Sequence, residues 1–414
     1  MRLLIFYIIF LISVFYPQTS SLAMYGFGEY INNYDASSIA LGDSKYFTGY
    51  DDRINFTSAS SYWKSSFSNL MMSISTNYNK FSGDYLVNNN FQMFSFTFPV
   101  GNNRVCAFGM NPLMRADISI NESALVTIGA DQSPTGDPIA FNTDYSFSGG
   151  ISEFFILFSS KITNKISFGM RWSKLFGTSE YIYYLNLYDL SFDQDENPTY
   201  ELTDIEPFSN NNRYSSSKYL LELRMKYEKI EAVLSYEKSI PLDLEITPYY
   251  SSLGFSETES YSIEDSISEF GIGIQYDFND KLGMIYEHHI VDSFDLSNSN
   301  QFLFIFNGNA PNIRSDHFGI FYKTKNDINS FINETVYKFG LYNKTFKLSQ
   351  NNIFDGGITL GIGYKYFENK NFVDFSLKIG WRSTEYNHLS DEKYYTLTMS
   401  LINGEKWFIG ERKK

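Results

Sequence analysis

The chain has 414 residues, enough for two average domains or one large β-barrel, and its formal net charge is −14. An acidic chain of this kind excludes nucleic acid as a partner, because a phosphate backbone requires a basic surface. Tyr and Phe occur 33 and 39 times and bring the aromatic content to 18%, which is typical of strands and of the aromatic girdles of membrane barrels. A soluble β-rich protein encoded by an AT-rich genome is the alternative explanation.

The first 23 residues have the pattern of a secretory signal. Arg2 precedes an apolar stretch from Leu3 to Phe15, and Ser21-Leu22-Ala23 resembles a cleavage site. The apolar stretch is too short for a transmembrane helix, and no later apolar run approaches 18 residues. The sequence therefore predicts export, cleavage after Ala23 and a mature chain that crosses the membrane with strands.

Residues 24–62 do not alternate and are interpreted as a plug inside the barrel. A short helix is predicted from Asp35 to Leu41, with Asp35 as its N-cap and Gly42 just past its end. The predicted organisation is a signal peptide at 1–23, a plug or hatch segment at 24–62 and a barrel at 63–414.

Large apolar side chains alternate with small or polar ones through much of the remaining chain. From Phe270 to Phe278 every even position is apolar and every odd position is Gly, Gln or Asp. Successive side chains of a strand point to opposite faces, so Ile274 and Leu397 are expected to face lipid, and Ser376 and Thr398 to face inward. Many such segments, each roughly 10 residues long, predict an all-β, transmembrane antiparallel barrel.

The number of strands follows from the candidate segments. Fifteen segments fit the pattern, but a single-chain bacterial barrel has an even number of strands. The weakest candidate is Tyr181 to Leu190, so about fourteen strands are predicted. Long loops are expected at 121–146, 191–212, 241–264 and 293–312. The last five strands are expected at about 314–324, 331–347, 355–367, 371–382 and 392–403.

Three groups of residues resemble the FadL-type outer-membrane proteins, including their PorV-like branch. They are Ala40-Leu41-Gly42 near the mature N-terminus, Gly149–Glu153 with Gly169 and Leu175–Gly177, and the Gly- and aromatic-rich stretches between Gly340 and Phe408. Two departures fall in the N-terminal part. Asp43 stands where a second Gly is usual, and Asn55-Phe56-Thr57 replaces an Asn-Pro-Ala element.

The resemblance implies a barrel of about fourteen strands with an N-terminal hatch. Members of this family move long-chain fatty acids or aromatic hydrocarbons across the outer membrane, whereas others serve the type IX secretion machinery. The fold does not choose between these roles.

The residues offer no catalytic or cofactor chemistry. Gly-x-Ser-x-Gly and His-Glu-x-x-His are both absent, and the single Cys106 excludes a disulfide. His288 and His289 are neighbours on a strand and point to opposite faces, so they cannot chelate one ion together. The acidic stretch at 193–206 either binds cations or is a solvated loop. We therefore expect neither an enzyme, nor a cofactor, nor a metal centre.

Charged residues on the polar faces are the candidate lumen or ligand residues. Two interpretations remain open for them: ion pairs that fill the lumen and hold the plug, or a cation that binds a fatty-acid carboxylate. The candidates are Arg171, Arg224, Lys226, Lys378 and Arg382, and Ala40, Leu41 and Gly42 are the candidate plug residues.

Two functions follow for an outer-membrane barrel with this pattern. The first is passage of hydrophobic small molecules such as long-chain fatty acids, controlled by the N-terminal segment. The alternative is a PorV-like interaction or secretion-system component without transport of its own. The expected partners are outer-membrane lipid and lipopolysaccharide, a hydrophobic ligand and secretion-system proteins. A lateral opening with an apolar pocket favours the first function, and a sealed barrel with large outer loops favours the second.

Overall fold

The computed structural model describes most of the chain between residues 28 and 405. The described ranges are 28–81, 84–127, 138–192, 198–250, 258–263, 266–293, 311–325, 331–347, 352–366, 371–384 and 391–405. The predicted signal peptide lies outside the described residues.

Strands make up most of the described chain. They are β1 (Glu29–Tyr30), β2 (Ser68–Phe81), β3 (Asp84–Gly101), β4 (Arg104–Thr127), β5 (Pro138–Lys161), β6 (Ile166–Phe192), β7 (Pro198–Tyr227), β8 (Ile230–Ser239), β9 (Leu242–Tyr250), β10 (Glu259–Ile263), β11 (Ser268–Asp277), β12 (Leu282–Asp292), β13 (Asn312–Lys325), β14 (Ile332–Lys347), β15 (Asn352–Tyr366), β16 (Asn371–Thr384) and β17 (Glu392–Glu405). A short helix α1 (Ala36–Ile39) and a 3-10 helix (Ala59–Lys64) lie between β1 and β2. Neither of these helices is long and apolar enough to span a membrane.

The strands form a closed antiparallel barrel of fourteen strands, and the predicted fold class is confirmed. β8 and β9 are two halves of one barrel strand, since β7 pairs with both in turn. Pro241 lies between the halves and has no N–H to donate to the ladder. β10 and β11 are likewise halves of the next strand. β17 pairs with β2 and closes the barrel.

The predicted alternation of faces is also confirmed. Ile274 and Leu397 point outward and are 45% and 54% exposed. Ser376 and Thr398 point inward and are buried. A one-residue shift of register would reverse these faces, so the apolar outer surface fixes the register of each strand.

Several strands extend into predicted loops. The described residues of the predicted loop at 241–264 lie mostly in β9 and β10. β4 ends at Thr127 and β5 starts at Pro138, so most of the predicted loop at 121–146 is strand. The predicted acidic loop at 191–212 is mostly the start of β7. Tyr181–Leu190, the weakest of the fifteen candidate segments, is the end of β6 and not a separate strand, which agrees with the predicted count of about fourteen. A tilted strand needs about 9–11 residues to cross a bilayer, and beyond it both faces meet water, so the sequence there need not alternate.

The two ends of the barrel differ. One end, called the short-turn end, carries the tight connections at 102–103, 162–165, 228–229 and 278–281. The other, the long-loop end, carries the tips of β5, β6 and β7, which have 24, 27 and 30 residues. Outer-membrane barrels usually place their short turns in the periplasm.

The wall is incomplete between β3 and β4. Their ladder reaches only from the short-turn end to the pair Phe94 and Met110, although both strands continue toward the long-loop end. Beyond that pair β1 lies on the edge of β4, with Glu29 opposite Arg115. The Arg115 guanidinium donates to the Phe91 carbonyl oxygen at 3.2 Å. We call this separation the seam.

Local irregularities in both strands accompany the seam. Gln92 is an extra residue in β3, because Met93 and Phe91 pair with consecutive residues of β2. Leu113 is likewise an extra residue in β4, directly after Pro112. Such bulges bend a strand and increase its twist, and proline has no N–H to offer the neighbouring strand. The sequence thus accounts for the end of pairing at this point.

Candidate functional site

Residues 28–64, called the inner segment below, lie inside the barrel. Leu41, Tyr46 and Tyr62 of this segment are at most 1% exposed. They belong to an apolar cluster with Val105 and Val233, which lie close to short turns of the wall. The inner segment therefore fills the half of the lumen nearest the short-turn end.

Asp35 and Arg53 organise the inner segment. Asp35 caps α1 as predicted, since its carboxylate accepts the Ser37 N–H at 3.0 Å. The same carboxylate accepts two hydrogen bonds from the Arg53 guanidinium, at 2.6 and 2.7 Å. Arg53 Nε lies 2.9 Å from Asp374 of β16, which also binds Lys338 of β14 at 2.6 Å. Two carboxylates and two cations thus balance in a dry environment and tie the inner segment to two strands.

Ala40-Leu41-Gly42 lies directly against the wall. The Gly42 N–H donates to Thr359 Oγ1 at 2.8 Å, and that hydroxyl donates to the Ala40 carbonyl oxygen at 3.0 Å. A Cβ atom on Gly340 would stand 1.9 Å from the Gly42 nitrogen, and one on Gly361 would stand 2.3 Å from the Ala40 Cβ. The lack of side chains at these glycines of β14 and β15 therefore leaves room for the backbone of the inner segment.

Asp43, the departure from the family pattern, is an anchor. Its φ of 58° lies in the left-handed region that favours glycine. Its carboxylate contacts Lys344 at 2.7 Å and Lys378 at 2.8 Å. Burial alone would raise the pKa of Asp43, but the two lysines outweigh burial and hold that pKa well below its ordinary range. Lys378, a predicted ligand residue, is therefore occupied by the chain itself.

Arg382 is also engaged by carboxylates of the chain. Its guanidinium contacts Glu29 at 2.6 Å, Asp355 at 3.1 Å and Glu392 at 3.3 Å. Glu29 belongs to β1, so this cluster holds the start of the inner segment against β15, β16 and β17.

The other three candidate cations lie elsewhere in the barrel. Arg171 contacts Glu237 at 2.9 Å. Arg224 binds Glu231 and donates to the Tyr46 carbonyl oxygen at 2.9 Å. Lys226 is half exposed and lies 3.8 Å from Glu231. Arg224 and Lys226 thus meet at Glu231, whereas Lys378 and Arg382 line one cavity, described below.

Several anchors of the inner segment were missed in the sequence. Glu287 accepts the backbone N–H groups of Lys45 and Tyr46 at 2.6 and 2.9 Å. Lys45 Nζ contacts Glu269 at 2.7 Å. A signal was present nearby, because Gly271 on the predicted inner face leaves room for Tyr46, whose hydroxyl would stand 1.9 Å from a Cβ there.

A polar cavity of about 120 Å³ lies beneath the seam. Asn90 and Gln92 of β3 and Arg115 of β4 line it on the side of the seam, and Lys378 and Arg382 line it on the opposite side. Lys378 and Arg382 are therefore the predicted cations that line this cavity.

Apolar side chains line the lumen between the inner segment and the long-loop end. We call this cluster the apolar lumen; it includes Leu113, Met114, Ile246, Ile267, Val291, Ile313, Phe346 and Ile353. Leu113 and Met114 lie on β4 at the seam, and Tyr30 of β1 packs against the cluster. An apolar interior is unusual, since most outer-membrane barrels have a polar one. A small cavity of about 10 Å³ lies against it, lined by Tyr30, Met114, Ile267 and Phe346 among others.

Known proteins share this fold. The family model described as BamG matches residues 1–414. The CymD monoaromatic hydrocarbon channel is 11% identical over 91% of this chain and 98% of its own, with a TM-score of 0.54. The Pseudomonas putida toluene transporter TodX is 12% identical over 91% and 99%, with a TM-score of 0.50. A Pseudomonas aeruginosa FadL homologue is 9% identical over 91% and 98%, with a TM-score of 0.55. No curated protein matches in sequence. The barrel is of the FadL type.

Proposed function

The chain belongs to the BamG family, and we propose that it is an outer-membrane barrel that passes hydrophobic small molecules. The apolar lumen carries this proposal. It begins at the seam with Leu113 and Met114 and continues to Phe346 and Ile353 on the opposite wall. A hydrophobic molecule gains free energy on leaving water for such a lining, whereas a water-filled pore would be polar. Toluene and monoaromatic hydrocarbons, named for two structural relatives, belong to this class.

We assign the entry route to the seam. Glu29 and Tyr30 cover the free edge of β4 there, and Tyr30 packs on the apolar lumen. The Ile31 N–H adds a hydrogen bond to the Leu113 carbonyl oxygen at 2.9 Å. Entry through the seam requires these contacts to open, and the inner segment acts as the hatch that controls passage. We propose long-chain fatty acids and aromatic hydrocarbons as the ligands, because both present apolar surface to such a lining.

The proposed location follows from the outer face of the barrel. Its exposed residues include Ile272, Leu341, Leu360 and Leu397, which suit contact with lipid. We assign the protein to the outer membrane, reached through the periplasm after removal of residues 1–23, with membrane lipid and lipopolysaccharide around it.

A reversible crosslink tests the function. Glu29 and Arg115 are directly opposite in an antiparallel pair, so Glu29→Cys with Arg115→Cys places two thiols within disulfide reach. Cys106→Ser removes the native thiol. Cells that lack their own transporter should take up labelled oleate or toluene when the crosslink is reduced and should stop when it is oxidised. Each single cysteine variant is the matched control.

Two outcomes count against the proposal. Uptake that continues through the oxidised protein removes the seam as the route. Absence of uptake by the uncrosslinked protein, for fatty acids and aromatic hydrocarbons alike, removes transport itself.

The long-loop end supports a second candidate function, a PorV-like interaction or secretion-system component. β6 and β7 have 27 and 30 residues, about three times the length needed to cross a bilayer. Their tips therefore stand in water as a paired surface for a protein partner. If a protein partner binds these tips, replacing residues 188–203 with a short turn should abolish its co-purification with the barrel. Uptake that survives this deletion would separate the two functions.

A further inference from the structure

The polar cavity under the seam has one wall of amides and hydroxyls. Asn77 and Asn79 come from β2, Asn90 and Gln92 from β3, and Thr398 from β17. Gln92 and Thr398 are 7% and 0% exposed. This wall lies beside the seam, where an amphiphile that enters from the membrane would bring its head group.

The charges around the cavity are balanced. Four cations, Lys344, Lys378, Arg382 and Arg115, line it. Four carboxylates stand against them: Asp43, Asp355 and Glu29 in the lining, and Glu392 on Arg382. Lys344 and Lys378 share Asp43, and Arg382 is held by three carboxylates. The site therefore has no net positive charge with which to hold an additional carboxylate.

Four buried polar atoms around the cavity have no hydrogen-bond partner among the residues that the structure describes. Three are acceptors or hydroxyls, namely Gln92 Oε1, Asn77 Oδ1 and Thr398 Oγ1, and the fourth is the donor Arg115 Nη1. Buried polar groups of this kind are normally satisfied by water or by a ligand. A hydroxyl group donates and accepts, so it matches this mixture, whereas a carboxylate only accepts.

We infer that the cavity binds the uncharged, hydroxyl-bearing head group of an amphiphile such as a monoacylglycerol. This inference rests on the proposed function and names its substrate class. The head group replaces water between Gln92 and Thr398, while the acyl chain lies along Leu113, Met114 and Tyr30 toward the seam. A volume of about 120 Å³ admits a head group of the size of several water molecules.

Binding measurements on the full-length protein in lipid nanodiscs test the inference. The probes are monooleoylglycerol and oleate, which share one acyl chain and differ in the head group. The wild type should bind monooleoylglycerol about tenfold more tightly than ionised oleate, a difference that two or three hydrogen bonds supply. Gln92→Leu with Thr398→Val should remove that preference and leave oleate binding unchanged.

Ser376→Ala is the matched control. Ser376 is also a buried inward hydroxyl without a hydrogen-bond partner in the described part of the chain, but it does not line the cavity. It should leave both affinities unchanged. Oleate bound as tightly as monooleoylglycerol by the wild type overturns the inference, whether or not the double variant folds. Failure to bind either probe, together with failure of uptake, removes the proposed function as well. Uptake of toluene or oleate without binding of monooleoylglycerol removes only the inference.

Discussion

Arg53 connects the inner segment to the barrel through two aspartates. It is the only arginine in residues 28–64, and its side chain is fully buried between Asp35 and Asp374. Removal of one partner from a buried ion pair leaves the other charge uncompensated, and that is more costly than never having had the pair. The retention of the inner segment should therefore depend strongly on this residue.

Arg53→Gln should loosen the inner segment without unfolding the barrel. The expected cost is about 3–5 kcal/mol, because Asp35 and Asp374 lose their buried partner. Trypsin cleavage at Lys45, followed in vesicles, measures the loosening, and heat-modifiable migration on gels reports the intact barrel.

Lys323→Gln is the matched control for this substitution. Lys323 is buried and pairs at 3.0 Å with Asp51, whose side chain is 64% exposed. Asp51 therefore stays hydrated when Lys323 is replaced, and the cost should be closer to the about 0–1 kcal/mol of surface pairs. Equal proteolysis of the two variants would contradict the anchoring role of Arg53.

Asp43 predicts the response to acid. Its pKa lies below the ordinary value, since Lys344 and Lys378 outweigh burial. The Asp43 carboxylate therefore makes its full contribution to the stability of the folded state at neutral pH. That contribution is lost only as the pH falls below about 4 and through the folded-state pKa. The mobility of a spin label at position 51 should stay constant between about pH 8 and pH 5. Asp43→Asn should raise its mobility throughout that interval.

Asp43→Gly distinguishes the effect of losing the carboxylate from the effect of the backbone conformation at this position. Glycine accepts the φ of 58° without strain, so any loosening comes from the missing carboxylate. If the glycine variant held the label as firmly as the wild type, the ion pairs would contribute nothing.

At the scale of elements, the glycines of β14 and β15 determine whether the inner segment can seat. Gly340→Ala should expel Ala40–Gly42 from the wall, because the new methyl would stand 1.9 Å from the Gly42 nitrogen. Proteolysis at Lys45 should increase while the barrel still assembles. Gly356→Ala on β15 is the control, since its nearest atom would be 3.7 Å away. An unchanged Gly340→Ala variant would mean that this contact is dispensable.

The sequence predicted the elements where one face meets lipid. The last five strands, from β13 to β17, were placed close to their observed bounds, because alternation there is enforced by the membrane on one side. The distal parts of β5 and β7 were missed, whereas the distal part of β6 was found as the weak candidate Tyr181–Leu190 but was not joined to the rest of its strand. Gly, Pro and Asn resemble loop residues, and strands that stand in water carry no alternation to mark them.

The candidate site was only partly predictable. Lys378 and Arg382 were found because they alternate with apolar neighbours on β16. The inner segment shows no periodic alternation of apolar and polar residues. The roles of Arg53, Glu29 and Asp43 are therefore visible only in the contacts of the folded chain. The pairing of Lys378 with Asp43 supports the interpretation of these charges as ion pairs that hold the inner segment, one of the two left open by the sequence.

For the molecule as a whole, the depth of an outward side chain in the membrane determines how much a charge at that position destabilises the barrel. Leu397→Arg should destabilise the folded barrel by roughly 2–4 kcal/mol if the site lies near the bilayer midplane. Ile162→Arg, in a short turn and 63% exposed, should cost only about 0–1 kcal/mol, as sites near the interface do. Urea titration in lipid vesicles measures both values. Equal costs would contradict the depth assigned to Leu397.

The seating of the inner segment also constrains the order of assembly. The Ala36 N–H donates to Ser400 Oγ, 364 residues further along the chain, and Arg53 depends on Asp374 of β16. Residues of the inner segment therefore lack these partners until the last strands are in place. Contacts this distant in sequence slow folding, because the entropy of closing so large a loop must be overcome first. The final pairing of β17 with β2 thus encloses the inner segment, although that segment is made first. Closure of the barrel and seating of the inner segment therefore become a single late event.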